Sequence, residues 1–295
     1  MRLRRFANLT VPPLLWASNA VLGRALAWQI SPALLNAGRW LVTAALLAPL
    51  ARTLWAAPQA LTRHGRYYAV LGLLGMGAYN ALQYQALHTS SALNVTLIAS
   101  SMPLWMLLVG ALNYRVRPRA RELAGALLSL LGVALVVGRG DWGTLLHVRF
   151  VVGDLLMLLA VCLWSVYSWM LARPPFEQRP PWDWAGALMA QSLYGLGFAL
   201  LFAGGEGALG RTVFVSSPRL WAALLYVGIG PALLAYRCWG AGVAEAGPAV
   251  AGLFFNLTPV FAALMSALLL GEGPARFHVT AFALIVAGIA VCARR

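Results

Sequence analysis

The stretch LFFNLTPVFAALMSALLLGEGP, residues 253–274, has a counterpart 156 positions earlier in LIASSMPLWMLLVGALNYRVRP, residues 97–118. Leu97, Pro103, Leu108, Ala111, Leu112 and Pro118 fall on Leu253, Pro259, Leu264, Ala267, Leu268 and Pro274. Continued without a gap, the same shift lays Leu128, Gly132 and Ala134 on Leu284, Gly288 and Ala290, and upstream Gly72 on Gly228. A shift of 148 brings Leu15-Trp16 onto Leu163-Trp164. Leu and Ala match by chance in an apolar chain, but paired Pro and Trp do not. The chain reads as two copies of one structural unit.

Composition says where the copies reside. Of 295 residues, 61% are hydrophobic and 10% charged, with a mean hydropathy of +0.76. Soluble domains are about a quarter charged, so neither a water-soluble globule nor a disordered chain fits. The 22 basic residues, all Arg, face 8 acidic ones, a net charge of +14. On one face of a soluble fold that charge would suggest nucleic acid. Here the arginines cluster between apolar runs, the signature of the positive-inside rule, and no nucleic-acid partner is expected. Cys162, Cys238 and Cys292 are scattered through apolar stretches without CxxC spacing or a nearby His, so neither disulfides, a metal site nor another cofactor is expected.

A helix needs roughly 20 apolar residues to span a bilayer. Ten stretches qualify, approximately 8–28, 33–54, 67–87, 92–112, 121–138, 152–172, 184–203, 219–239, 248–270 and 277–293. The first contains Pro12, Pro13 and Asn19 and lacks a small-residue cleavage site, so it is expected to stay on the chain as a span. With the N-terminus in the cytoplasm, fourteen arginines fall inside, five outside, and Arg24, Arg39 and Arg237 within spans. Both termini are therefore expected in the cytoplasm, and a bacterial inner membrane is the expected home. Five helices per copy is an odd number, so the second copy enters the membrane from the opposite side. The expected fold is an all-α integral membrane protein of ten transmembrane helices in two inverted five-helix repeats. Residues 1–138 form the first repeat, 139–151 an external connecting loop and 152–295 the second repeat.

Two further segments carry a family resemblance. One is Trp16-Ala17-Ser18-Asn19; the other runs from Ala246-Gly247-Pro248 through Asn256-Leu257-Thr258-Pro259-Val260-Phe261 to Leu270-Gly271-Glu272. With them the whole chain resembles the drug/metabolite transporter superfamily, specifically its EamA-type ten-helix exporters, and most of all the YddG-like exporters of amino acids. The resemblance implies export of amino acids, aromatic or hydrophobic ones among them, and of related small metabolites. The first half departs from the pattern: Val116, in an Arg-rich loop, stands where Glu272 has its counterpart.

Polar and aromatic side chains inside spans are costly in lipid and usually face a cavity. In the third span Tyr79, Asn80, Gln83 and Tyr84 share a helix face,, and Ser100 precedes Pro103 in the fourth. They suit a pocket for a zwitterion, although interhelical hydrogen bonding uses the same residue types. Trp16 and Trp164 match across the repeat, with Asn19 and Tyr167 three residues after each. Paired aromatics can wall a cavity for apolar side chains or hold cations on their ring faces; core packing is the plainer use. Trp105, Trp169, Trp221 and Trp239 read as packing or interface anchors. Pro103 and Pro259 are expected to kink their spans at equivalent depth and serve as hinges. Asn256 either bonds the freed backbone or offers its amide to substrate. The expected substrate-binding set, placed between the two repeats, is Trp16, Asn19, Tyr79, Asn80, Gln83, Ser100, Trp164, Tyr167 and Asn256.

Charged residues complete the expectations. Arg24 and Arg39 lie toward the outer ends of their spans and Arg237 toward the cytoplasmic end of the eighth. Any of them could attract a carboxylate, but long basic side chains snorkel, and that is the expectation for all three. Asp141, Glu177, Asp183, Glu206 and Glu272 fall in loops, Glu122 and Asp154 at helix starts, and Glu245 after the eighth span. Coupled carriers usually hold a carboxylate within the membrane. Its expected absence points to facilitated export by alternating access, with a proton-coupled multidrug or metabolite exporter as the alternative. An enzyme is not expected: Gly138-Arg139-Gly140-Asp141 spells GxGD but lacks a facing Asp partner, and HExxH and GxSxG do not occur,. A passive channel would want rings of like residues. The expected partners are a small-molecule substrate and the bilayer, with oligomeric state left open, a monomer included.

Overall fold

Helix occupies most of the described residues in each of the ten apolar runs. The computed structural model describes residues 2–26, 28–87, 89–147, 150–175, 180–270 and 276–293. In order come α1 (Arg2–Ala25), α2 (Pro32–Leu47), α3 (Arg52–Ala56), α4 (Gln59–Arg63), α5 (Gly65–Leu71), a π-helical segment Gly72–Ala78, α6 (Tyr79–Leu87), α7 (Ala92–Ser100), α8 (Met102–Tyr114) and α9 (Ala120–Val137). After them follow α10 (Trp142–Leu146), α11 (Val152–Ala172), α12 (Trp184–Ala208), α13 (Pro218–Val227), a second π segment Gly228–Leu234, α14 (Ala235–Ala246), α15 (Pro248–Phe255), α16 (Leu257–Leu270) and α17 (Arg276–Ala293). Among the described residues the only β pairing is an isolated bridge between Ile30 and Phe214. Among the described residues, five helical stretches are long and apolar enough to cross a bilayer, and the bent pair α7–α8 makes a sixth. Along them Leu112, Leu159 and Leu201 are exposed, as side chains facing lipid must be. Glu272 and Pro274 lie outside the described residues, as do the side chains of Arg24 and Tyr84.

The expected proline kinks fall elsewhere than at the prolines. The fourth span breaks at Ser101, where α7 and α8 meet at 44°, and Pro103 occupies the first turn of α8. In the ninth, the turn residue Asn256 separates α15 from α16 without interrupting the span, and Pro259 lies in the first turn of α16. A proline's missing N–H costs nothing in a first turn, where no intrahelical partner exists, so the helix restarts just before it. The 139–151 connection is not all loop. Asp141 accepts hydrogen bonds from the Gly143 N–H at 2.8 Å and the Thr144 hydroxyl at 3.1 Å, starting α10. The aspartate of the GxGD string is thus an exposed helix cap.

Both π segments are seven residues long and coincide under the 156-residue shift. The first contains Gly72, Gly75 and Gly77, poor helix formers. The second contains Pro231, whose ring clashes with the carbonyl one turn back and whose missing N–H removes a rung. Sequence-distant side chains bond carbonyls in both widened turns. Asn36 donates to the Met76 oxygen at 3.1 Å, Tyr236 donates to the Gly75 oxygen, and Thr43 donates to the Gly228 oxygen at 2.9 Å.

The chain forms two compact units, and each draws on both sequence copies. The first comprises Met1–Val21, Leu82–Arg173 and Cys238–Arg295; the second comprises Leu22–Ala81 and Pro174–Arg237. Within the first, α9 and α17 meet along small residues. A Cβ on Gly125 would come within 2.6 Å of the Gly288 carbonyl oxygen, and one on Gly132 within 2.8 Å of the Ala281 oxygen. Such backbone approach is how helices pack where lipid supplies no hydrophobic drive. The repeat shift pairs Gly125 with Ala281 and Gly132 with Gly288. Each position therefore touches the counterpart of the other, the reciprocal pattern of a two-fold contact, and the two helices run antiparallel.

Candidate functional site

In the first unit, α1, α11, α14 and α15 bring five aromatic rings together. Trp16 lies 5.3 Å from Trp164 in an edge-to-face arrangement (87°), 5.3 Å from Trp239 and 5.7 Å from Phe255. Trp164 in turn lies 5.0 Å from Tyr167 and 5.8 Å from Trp239. Edge-to-face and tilted pairs at these distances add about 0.5–1.5 kcal/mol each beyond simple burial. Ser168 fixes the arrangement from below: its hydroxyl donates to the Trp164 carbonyl at 2.9 Å and accepts the Trp239 indole N–H at 3.2 Å. Trp164, Tyr167 and Trp239 are buried, whereas Trp16 is half-buried.

The two tryptophans matched across the repeat thus touch. Trp239, expected as a packing residue, joins them, and so does Phe255, which the sequence did not single out. A signal for Trp239 was present, since the 156-residue shift places it on Gln83, itself a candidate. Of the other tryptophans, Trp169 donates its indole N–H to the Met106 carbonyl at 2.7 Å, and Trp221 is exposed.

The remaining candidates of the first unit divide by what already occupies them. Asn19 and Gln83 are half-buried on α1 and α6. Ser100 is buried, and its hydroxyl donates to the Thr96 carbonyl of its own helix at 2.7 Å. Asn256, fully buried at the α15–α16 junction, bonds neither freed backbone nor open space: its Nδ2 donates to the Ser129 hydroxyl of α9 at 2.9 Å. Its Oδ1 is buried without a partner. A cavity of about 140 Å³ in this unit is lined by Trp169, Glu122 and Pro248 among others, and by none of the expected residues.

Asp154 is the acidic residue that sequence reading undervalued. It is fully buried, with Oδ1 accepting from the Ser90 hydroxyl and Oδ2 from Asn94 Nδ2 at 3.2 Å and the Val151 N–H at 2.8 Å. Three donors make a firm seat for a carboxylate at the start of α11. It ties that start to the end of the third span and the beginning of the fourth.

Tyr79 and Asn80 belong to the second unit. Both are buried, and Asn80 Nδ2 donates to Asn36 Oδ1 at 3.4 Å. On the same face of α2 stands Arg39, expected to snorkel. It does not: the residue is 3% exposed, with its guanidinium 5.1 Å from the Trp40 ring centroid inside the unit. Arg237 does reach the surface, with its guanidinium 3.9 Å over the Trp184 ring.

The model of the EamA-like transporter family matches this chain twice, over residues 9–138 and 151–294. An uncharacterized transporter of Archaeoglobus fulgidus is 26% identical over 95% of this chain and 94% of its own length. The aromatic amino acid exporter YddG of Ancylobacter novellus is 28% identical over 75% of this chain and 74% of its own. A crystal structure titled only as that of a protein superposes with a TM-score of 0.75, covering 98% of this chain and 94% of that one at 24% identity. That likeness extends to the fold.

Proposed function

The chain belongs to the EamA-like transporter family, and from that premise we propose that it exports amino acids, aromatic or hydrophobic ones first, with related small metabolites. The route runs across a bacterial inner membrane, with both termini in the cytoplasm. The observation that carries this reading is the aromatic cluster in which half-buried Trp16 leans on Trp164, Trp239 and Phe255. A rigid aromatic wall suits an apolar side chain or an ammonium group. The exporter named for aromatic amino acids is a relative along three quarters of the chain. Substrate contact is assigned to Trp16, Asn19, Gln83, Ser100, Trp164, Tyr167 and Asn256 in the first unit and to Tyr79 and Asn80 in the second.

The mechanism is alternating access without an obligatory proton. The reading of 1–138 and 152–295 as inverted repeats is supported by the doubled family match and by the antiparallel contact of matched helices α9 and α17. Bending near Pro103 and Pro259 would use the break at Ser101 and the turn at Asn256. Buried Asp154 favours a second, proton-coupled reading, but three donors satisfy it as an anion in this conformation. Counterflow of labelled phenylalanine, leucine and glutamate in proteoliposomes tests the proposal. Saturable exchange favouring the apolar substrates is expected, and non-saturating flux would point to a channel.

A further inference from the structure

Arg39 is an unusual residue to find where it lies. In α2, Asn36, Arg39 and Thr43 follow one another at helical spacing and are all buried,. Asn36 and Thr43 are engaged, one with the Met76 carbonyl and Asn80, the other with the Arg39 and Gly228 carbonyls. Arg39 stands between them. Its guanidinium is 5.1 Å from the Trp40 ring centroid, and its charge is felt at the Tyr236 hydroxyl. That hydroxyl in turn donates to the Gly75 carbonyl.

No described residue supplies Arg39 with an ion-pair partner. Its Nε is buried with no hydrogen-bond acceptor, and so is the indole N–H of Trp40 next to it. A guanidinium keeps its charge when buried and offers five donors in a planar fork. Leaving such a cation in a low-dielectric interior without a counter-charge is strongly unfavourable. A carboxylate fits the fork with two parallel bonds and answers the charge at once. The described chain does not provide one, and the substrate class proposed above carries one on every molecule.

We propose that Arg39 is the anchor for the substrate's carboxylate, with Trp40 and Tyr236 holding its guanidinium plane in place. This deepens the export reading and rests on it. The transported class is then acids, and the matching amines, which lack the carboxylate, are poor substrates.

The test uses full-length protein in proteoliposomes and compares phenylalanine with phenethylamine for wild type, Arg39→Gln and Arg39→Lys. Wild type is expected to prefer the acid by tenfold or more in KM. Arg39→Gln should raise the KM for the acid at least tenfold and leave that for the amine within twofold; Arg39→Lys, a point charge without the fork, should fall between. Equal losses for acid and amine would mean a structural role and overturn the proposal, as would an unchanged KM for the acid. If Arg39→Gln does not fold, the acid-to-amine preference of wild type and Arg39→Lys decides: no preference overturns the proposal. If wild type carries no amino acid at all, the export reading fails by itself. Binding of benzoate to purified wild type but not to the variants would then still sustain the carboxylate site, and equal binding or none would remove it.

Discussion

Trp16 and Trp164 carry the same residue type at matched positions, yet substitution should separate their roles. Trp164 is 2% exposed and packed on three rings, so Trp164→Ala should destabilise the protein by about 3–5 kcal/mol as a core truncation. Trp16 is half-buried and is the better probe of substrate. Trp16→Ala should raise the KM for phenylalanine about tenfold, the equivalent of one good aromatic contact or slightly more, while Trp16→Phe keeps most of the affinity. Flux assays paired with unfolding midpoints in detergent check both; identical transport by Trp16→Ala and wild type would remove the ring from the site. Arg39 teaches a related lesson. Its position about a third of the way along the second span was legible, but the direction of its side chain was set by Trp40 and Tyr236, the latter nearly 200 positions away.

Among the elements, the α9–α17 contact is the most exacting. Gly125→Ala would push a methyl to within 2.6 Å of a carbonyl oxygen, and backbone cannot step aside as a side-chain tip can. A loss of about 1–3 kcal/mol is expected, the usual cost of overpacking. Gly204→Ala in α12 meets nothing within 4 Å and should be neutral or slightly stabilising. Unfolding of the two variants side by side checks the difference. The start of α12 makes a pH prediction. Asp183 accepts from the Gly186 N–H at 2.9 Å and the Thr53 hydroxyl at 2.8 Å, and the Gly186 bond above all holds its carboxyl below the ordinary value, against partial desolvation. A depressed carboxylate contributes stability that is present above its unfolded value of about 3.9 and is lost as pH falls through the folded one. Asp183→Ala should therefore cost about 1 kcal/mol at neutral pH, the typical worth of a helix cap. The gap to wild type should close below about pH 4; a gap unchanged in acid would contradict the capping account.

At the scale of the whole molecule, the proposed inverted repeat predicts topology. Single cysteines at Val116 and Glu272, in a background with Cys162, Cys238 and Cys292 replaced, should react with an impermeant thiol reagent from opposite sides of the membrane. Labelling from one side alone would defeat the inversion. The uncoupled mechanism predicts that labelled substrate equilibrates in liposomes held at zero voltage without an ion gradient. Accumulation driven by an imposed pH gradient would favour the coupled reading, and Asp154→Asn should then abolish it.

Composition and apolar run length were enough to identify a multi-pass membrane protein of the all-helical class, because the cost of burying polar backbone in lipid is local and additive along the chain. The matched prolines and tryptophans disclosed the repeat for the same reason: each copy carries its own record. The family was legible in the residues around Asn256 and Pro259. What only the tertiary structure decided was everything that depends on a neighbour distant in sequence. The 156-residue shift aligned Gly72 with Gly228 but could not say that Asn36, Thr43 and Tyr236 would bond to the widened turns there. Hydropathy gave Asp154 as a helix start and could not see Ser90 and Asn94 closing over it. Nor could it show that the compact units would each mix both sequence copies. A side chain's depth follows from counting residues along a helix, but its burial follows from which helices come alongside, and that is settled only when the chain has packed.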